Sequence, residues 1–97
     1  MKILFDVDGT LIRWNGDADK DQPISEMVNL LITLARAGHD VYVASSGGER
    51  YAAAWCSRLM IRDLVTIVPK FGREPVDIAF DDLELDLGTV NCRVRMA

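Results

Sequence analysis

Histidine is nearly absent from this sequence: His39 is the only one, and cysteine is limited to Cys56 and Cys92. Neither cysteine has the CxxC or mixed Cys/His spacing of a metal ligand, so a structural zinc site is not expected. Ser-His-Asp or Cys-His nucleophilic chemistry is not expected either. Two lone cysteines read as free, mostly buried thiols in a reducing, cytoplasmic setting. No apolar run approaches the ~20 residues of a membrane helix, and the N-terminus meets Asp6 too early for a signal peptide. Positive charge is in deficit, with 11 basic against 15 acidic residues and a net charge of −4. Nucleic acid held by long-range attraction is therefore not a favoured partner. What remains for chemistry is carboxylates, hydroxyls, amines and a metal they could hold.

What is present is the composition of an ordinary folded domain: 97 residues, 49% hydrophobic and 27% charged. That length predicts one domain over 1–97, too short for a catalytic unit plus a separate cap. Ile3-Leu4-Phe5 is a short apolar run that reads as a buried strand. Residues 12–22 are polar and turn-rich and read as a loop or flap. Pro23 suits a first helical turn; Ile24, Met27, Leu30, Leu31, Leu34 and Ala35 keep helical period, and Gly38 ends that helix. Val41–Ala44 reads as a second strand, Glu49–Met60 as a second helix, and Leu64–Val68 and Val76–Phe80 as third and fourth strands. Val90–Val94 is a candidate fifth. Alternation of strand and helix predicts a mainly parallel sheet with helices on both faces. About seven residues separate strands three and four, too few for a helical crossover. Extended, they reach roughly 23 Å. That leaves either an irregular return across the sheet or an antiparallel fourth strand.

The acids fall where such a sheet binds ligands, beyond the carboxyl ends of its strands. Asp6 and Asp8 follow strand one, Ser45 and Ser46 strand two, Lys70 strand three, and Asp81 and Asp82 strand four. Converging carboxylates repel unless a cation intervenes. Oxygen ligands without histidine favour Mg²⁺. Gly9 and Thr10 after strand one, and Ser46-Gly47-Gly48 before helix two, supply small residues and backbone N–H groups suited to an anion. Carboxylate nucleophile, metal, lysine and anion cradle together describe phosphoryl transfer.

The segment Lys2-Ile3-Leu4-Phe5-Asp6-Val7-Asp8-Gly9-Thr10-Leu11 resembles the first motif of the haloacid dehalogenase-like superfamily, an apolar strand followed by DxDGTL. Val41–Ser45 resembles the second motif, Lys70 the third, and Ile78-Ala79-Phe80-Asp81-Asp82 the paired-acid form of the fourth. The resemblance runs from residue 2 to about residue 95. It implies a compact Rossmann-like three-layer α/β/α sandwich of about five strands without a cap domain. It also implies a Mg²⁺-dependent phosphatase in which Asp6 is the nucleophile and Asp8 the general acid/base. Ser45 would hydrogen-bond the phosphoryl oxygens and Lys70 would neutralise charge. Asp82 would bind the metal with Asp6 and the backbone carbonyl of Asp8, and Asp81 would be a supporting or alternative ligand.

The family places its lysine near the start of a helix before strand four; here only Phe71–Pro75 intervene, so Arg73 is a second candidate for that role. Arg50, in the first turn of helix two, is a candidate clamp for a distal part of the substrate. Trp14 and Trp55 read as packing residues, with base stacking a secondary reading for Trp14. The missing cap implies an open site for bulky or varied phosphate esters, with walls supplied by a flap or a second copy of the chain. Two other readings compete: a non-catalytic metal-binding or regulatory domain of the same fold, and a phosphatase of nucleic-acid 3′ or 5′ ends.

Overall fold

The computed structural model describes residues 1–14 and 21–95. Its centre is β1 (Lys2–Asp6), whose Ile3, Leu4 and Phe5 are all buried. Three successive apolar, buried positions in a strand are what a parallel sheet covered on both faces requires. After the 7–12 loop come β2 (Ile12–Arg13) and β3 (Gln22–Pro23), which pair antiparallel. Then follow α1 (Ser25–Arg36), β4 (Asp40–Ala44), α2 (Glu49–Arg58) and a 3-10 turn at Arg62–Leu64. Three strands close the chain: β5 (Thr66–Ile67), β6 (Val76–Asp81) and β7 (Gly88–Arg93).

The main sheet has the order β5-β4-β1-β6-β7 and every neighbouring pair is parallel. A parallel five-stranded sheet flanked by two helices matches a Rossmann-like core. The direction of the strand at 76–81, open from sequence, is parallel. Part of the expected flap at 12–22 is a pair of two-residue strands, and its remainder, 15–20, lies outside the described residues. Pro23 sits in β3 instead of the first helical turn, and extended Ile24 leads into α1. The third strand is shorter than 64–68 because the 3-10 turn takes up its first residue.

The two faces of the sheet are covered differently. Strand alternation sends Ile3, Phe5, Val41 and Val43 to one face, where both helices bury Leu31, Ala52, Trp55 and Cys56 against them. Phe5 also stacks on Phe80, with ring centroids 4.8 Å apart. Two successive right-handed crossovers that step the same way across a sheet leave both helices on one side, which is why the helices share this face. The next connection reverses direction, from β5 at one edge to β6 beyond β1. It has only residues 68–75 to do so and contains no helix. The opposite face carries a smaller cluster of Leu4, Ala44, Val76 and Ala79, covered by Tyr42, Val68 and Leu87. Its outer layer is irregular chain.

Candidate active site

The same alternation that buries Phe5 on the helical face puts Asp6 on the other side with Leu4, at the carboxyl edge of β1. Asp6 lies beside Ala44 of β4. Phe5 pairs with Phe80, so Asp81 is the next residue along β6 at the level of Asp6. The helix-free 68–75 connection brings Lys70 onto this edge. Its Nζ is 2.9 Å from Asp6 Oδ1, to which it donates a hydrogen bond, and 2.9 Å from Asp81 Oδ2. All three residues are buried, each about 5% exposed or less. The contact to Asp81 Oδ2 is a charge contact without hydrogen-bond geometry, and that oxygen has no other partner. Asp81 Oδ1 accepts the N–H of Leu83. Arg73 does not enter the cluster; its guanidinium lies over the ring of Tyr42, 5.8 Å from the centroid.

Asp82 completes the acidic group. One carboxylate oxygen from each of Asp6, Asp81 and Asp82 lies within 4.8 Å of the others. Gly9 makes this approach possible. A Cβ at Gly9 would stand 2.3 Å from Asp82 Oδ2, and its φ of +80° is one that side-chain-bearing residues rarely adopt. The loop holding it is tight: Thr10, Leu11 and Ile12 all donate to the carbonyl of Val7. Thr10 is buried beneath it with its hydroxyl 3.5 Å from Asp6 Oδ2.

Electrostatics follow from two carboxylates and one ammonium sharing a dry site. Burial pushes the Asp6 carboxyl up to about 7, with Lys70 opposing and Asp81 adding to the rise. Burial also raises Asp82, assisted by Asp81 and opposed by its contact with Asp6. Burial alone would lower Lys70, but the carboxylates of Asp81 and Asp6 against it outweigh that and hold the ammonium protonated. A negative cluster with raised carboxyls is short of positive charge. An all-oxygen donor set fits a hard divalent cation. Asp82, half-buried and facing Gly9, is freer to ligate than Asp81, whose two oxygens face Lys70 and the Leu83 amide.

Other residues singled out from sequence are placed as follows. Ser45 is buried just beyond β4. Its Oγ accepts the N–H of Gly47 and its carbonyl that of Gly48. Those two amides are engaged within the turn, and the Ser45 hydroxyl proton is a donor the turn can offer an anion. Ser46 and Arg50 are exposed on the rim. Trp55 is buried with Arg58 stacked on it at 4.2 Å, whereas Trp14 is 62% exposed and is not a packing residue. Asp8 is half-buried on the 7–12 loop and accepts a 2.5 Å hydrogen bond from the hydroxyl of Tyr51. Tyr51 was not singled out from sequence. The signal available was its place four residues after Gly47, on the helix turn where Arg50 was considered instead.

Buried Asp6 and Asp81 bridged by Lys70, with half-buried Asp82 beside them on the carboxyl edge of a parallel sheet, decide the likeness. The arrangement matches the catalytic motif architecture of the haloacid dehalogenase-like superfamily. No family model matches the sequence, and no curated protein matches it. Among solved structures, a chain described as "Structure of Pnkp1/Rnl/Hen1 complex" shares the fold, with a TM-score of 0.56 at 19% identity over 95% of this chain. The present chain spans 46% of that chain, just under half its length. The dehalogenase-like cluster is consistent with chemistry through an aspartyl-phosphate. Among the described residues, the connection from β1 to β4 carries the β2–β3 hairpin and α1, and that from β4 to β6 carries α2, the 3-10 turn and β5. No described helix is long and apolar enough to cross a membrane.

Proposed function

We propose that residues 1–97 form one phosphatase core that hydrolyses phosphate monoesters with the help of Mg²⁺, through a phosphoryl group carried transiently on Asp6. The observation that carries this reading is Lys70 held between Asp6 and Asp81 in a cluster still short of positive charge. The Asp6 carboxylate attacks phosphorus, and the bond from phosphorus to the ester oxygen breaks with its electron pair going to that oxygen. Asp8 gives the departing oxygen a proton. Asp8, now a carboxylate, takes a proton from water, whose oxygen attacks phosphorus and breaks the bond to Asp6, releasing inorganic phosphate. Lys70 and the Ser45 hydroxyl offset charge on the phosphoryl oxygens as it builds. Asp6, Asp82 and the Asp8 carbonyl would hold Mg²⁺, with Asp81 in support. When bound, the ion supplies two positive charges that keep Asp6 ionised and neutralise phosphate. Gly9, Thr10, Ser46, Gly47 and Arg50 are the residues we assign to holding the phosphate ester. A cytoplasmic setting suits the free thiols of Cys56 and Cys92.

The test is hydrolysis of an aryl phosphate with and without Mg²⁺. Expected is Mg²⁺-dependent turnover that falls at least ~10³-fold in Asp6→Asn, as loss of a nucleophile does. Magnesium binding without turnover, across a panel of nucleotides, sugar phosphates, phosphopeptides and phosphorylated oligonucleotides, would point to a regulatory domain instead.

A further inference from the structure

The Asp8 carboxylate lies outside the ion-paired cluster. Among the described residues, the side chain bonded to it is Tyr51, 43 positions away in sequence, through a hydrogen bond of 2.5 Å. Tyr51 stands in the first turn of α2, and its ring packs against the helical-face core. The ring also lies on Gly47: a Cβ there would be 3.1 Å from Tyr51 Cδ2 and 3.3 Å from Ser45 Oγ. The Ser45–Gly48 turn therefore does two things. It places Ser45 one residue beyond Ala44, the register partner of Asp6, and it leaves the bare backbone over which Tyr51 reaches Asp8.

We propose that Tyr51 is a positioning residue that holds the Asp8 carboxyl in the orientation needed to protonate the departing ester oxygen. This rests on the phosphatase reading above. A carboxyl group on a loop has two side-chain torsions to fix. One anchored donor at Oδ1 fixes them and leaves Oδ2 to carry the proton. A phenol hydroxyl is a donor at neutral pH, and here it is the donor to Asp8 Oδ1. The role is indirect, because Tyr51 touches Asp8 and not the reacting atoms.

The discriminating measurement is leaving-group dependence. A dinitrophenolate departs without a proton, whereas an alkoxide needs one. kcat/KM covers steps through the first bond cleavage only, so water attack on the phosphorylated Asp6 does not enter it. For Tyr51→Phe, which keeps the ring, kcat/KM for an alkyl phosphate should fall about tenfold or more, within the scale of general-acid effects. For 2,4-dinitrophenyl phosphate it should change less than about threefold. Asp8→Asn should show the same asymmetry more strongly. Equal losses on both esters, or a Tyr51→Phe enzyme indistinguishable from wild type while Tyr51→Leu loses activity on both, would overturn the proposal and leave Tyr51 a packing residue. A wild-type chain that turns over neither ester, with Mg²⁺ present, overturns the phosphatase reading and this inference with it.

Discussion

The two faces of the sheet divide the work of the molecule. One face is covered by two helices and buries Phe5, Val43, Leu31 and Trp55 in a continuous apolar cluster. The other carries four buried core residues under irregular chain, and its carboxyl edge holds Asp6, Lys70 and Asp81. Neighbouring residues of one strand, Phe5 and Asp6, serve opposite ends: the first stabilises by burial, the second costs stability by burial. The poorly covered face is also the one that a helix-free connection can cross, and that crossing delivers Lys70. Functional groups concentrate where regular packing stops, and their cost is met by the packed face.

The largest contrast comes from breaking each face in turn. Phe5→Ala should cost about 3–5 kcal/mol, equally at pH 5 and pH 8, because only packing is lost. Lys70→Met should cost a similar ~3–5 kcal/mol at pH 8, where Asp6 and Asp81 are left buried without their cation. At pH 5 that loss should shrink, since Asp6 can take up a proton. Urea unfolding of both variants at the two pH values checks this. Equal losses at both pH values for Lys70→Met would end the contrast.

The next effect is the pH dependence of the metal-free wild type. The Asp6 carboxyl is raised to about 7 from an ordinary 3.8, so the folded state holds a proton that the unfolded chain has released. Its contribution to stability is complete below pH 4 and is lost as pH rises through about 7. Metal-free protein should therefore lose melting temperature between about pH 4 and 7 on account of Asp6. Mg²⁺ should restore it most at the alkaline end, where Asp6 is ionised and free to ligate. Asp6→Asn should flatten the profile and melt higher than wild type at pH 8 without metal. Thermal melts with and without Mg²⁺ read all three.

The smallest expected effect isolates a single contact. Gly9→Ala places a methyl 2.3 Å from Asp82 Oδ2 and forces alanine to a φ of +80°. Strain of about 1–2 kcal/mol follows, and Asp82 must withdraw. Mg²⁺ affinity by calorimetry should weaken about tenfold or more, as loss of one supporting contact to a metal site does. Unchanged affinity would remove Asp82 from the metal site.

Much of this was legible in the residues. The apolar run at 3–5, the acids at strand ends and the helical period of 24–35 each reflect local chemistry and appear where expected. The helical crossover rules hold too, yet both helices lie on one face, because that depends on the order β5-β4-β1, a property of the whole sheet. The choice between Lys70 and Arg73 was equally beyond the sequence: three residues apart on an irregular connection, they separate only when the chain turns, one toward Asp6 and the other over Tyr42. Tyr51 was missed for a related reason. Its partner is far away in sequence, and a tyrosine in the first turn of an amphipathic helix reads as packing until Asp8 is seen beside it.

The central claim is that Asp6 carries the phosphoryl group, and acid quenching during turnover of an aryl phosphate, followed by peptide mass spectrometry, tests it most directly. The account predicts a phosphoryl adduct on the peptide containing Asp6, labile to hydroxylamine and absent in Asp6→Asn. Sustained turnover with no adduct on Asp6, and with Asp6→Asn still active, would contradict it.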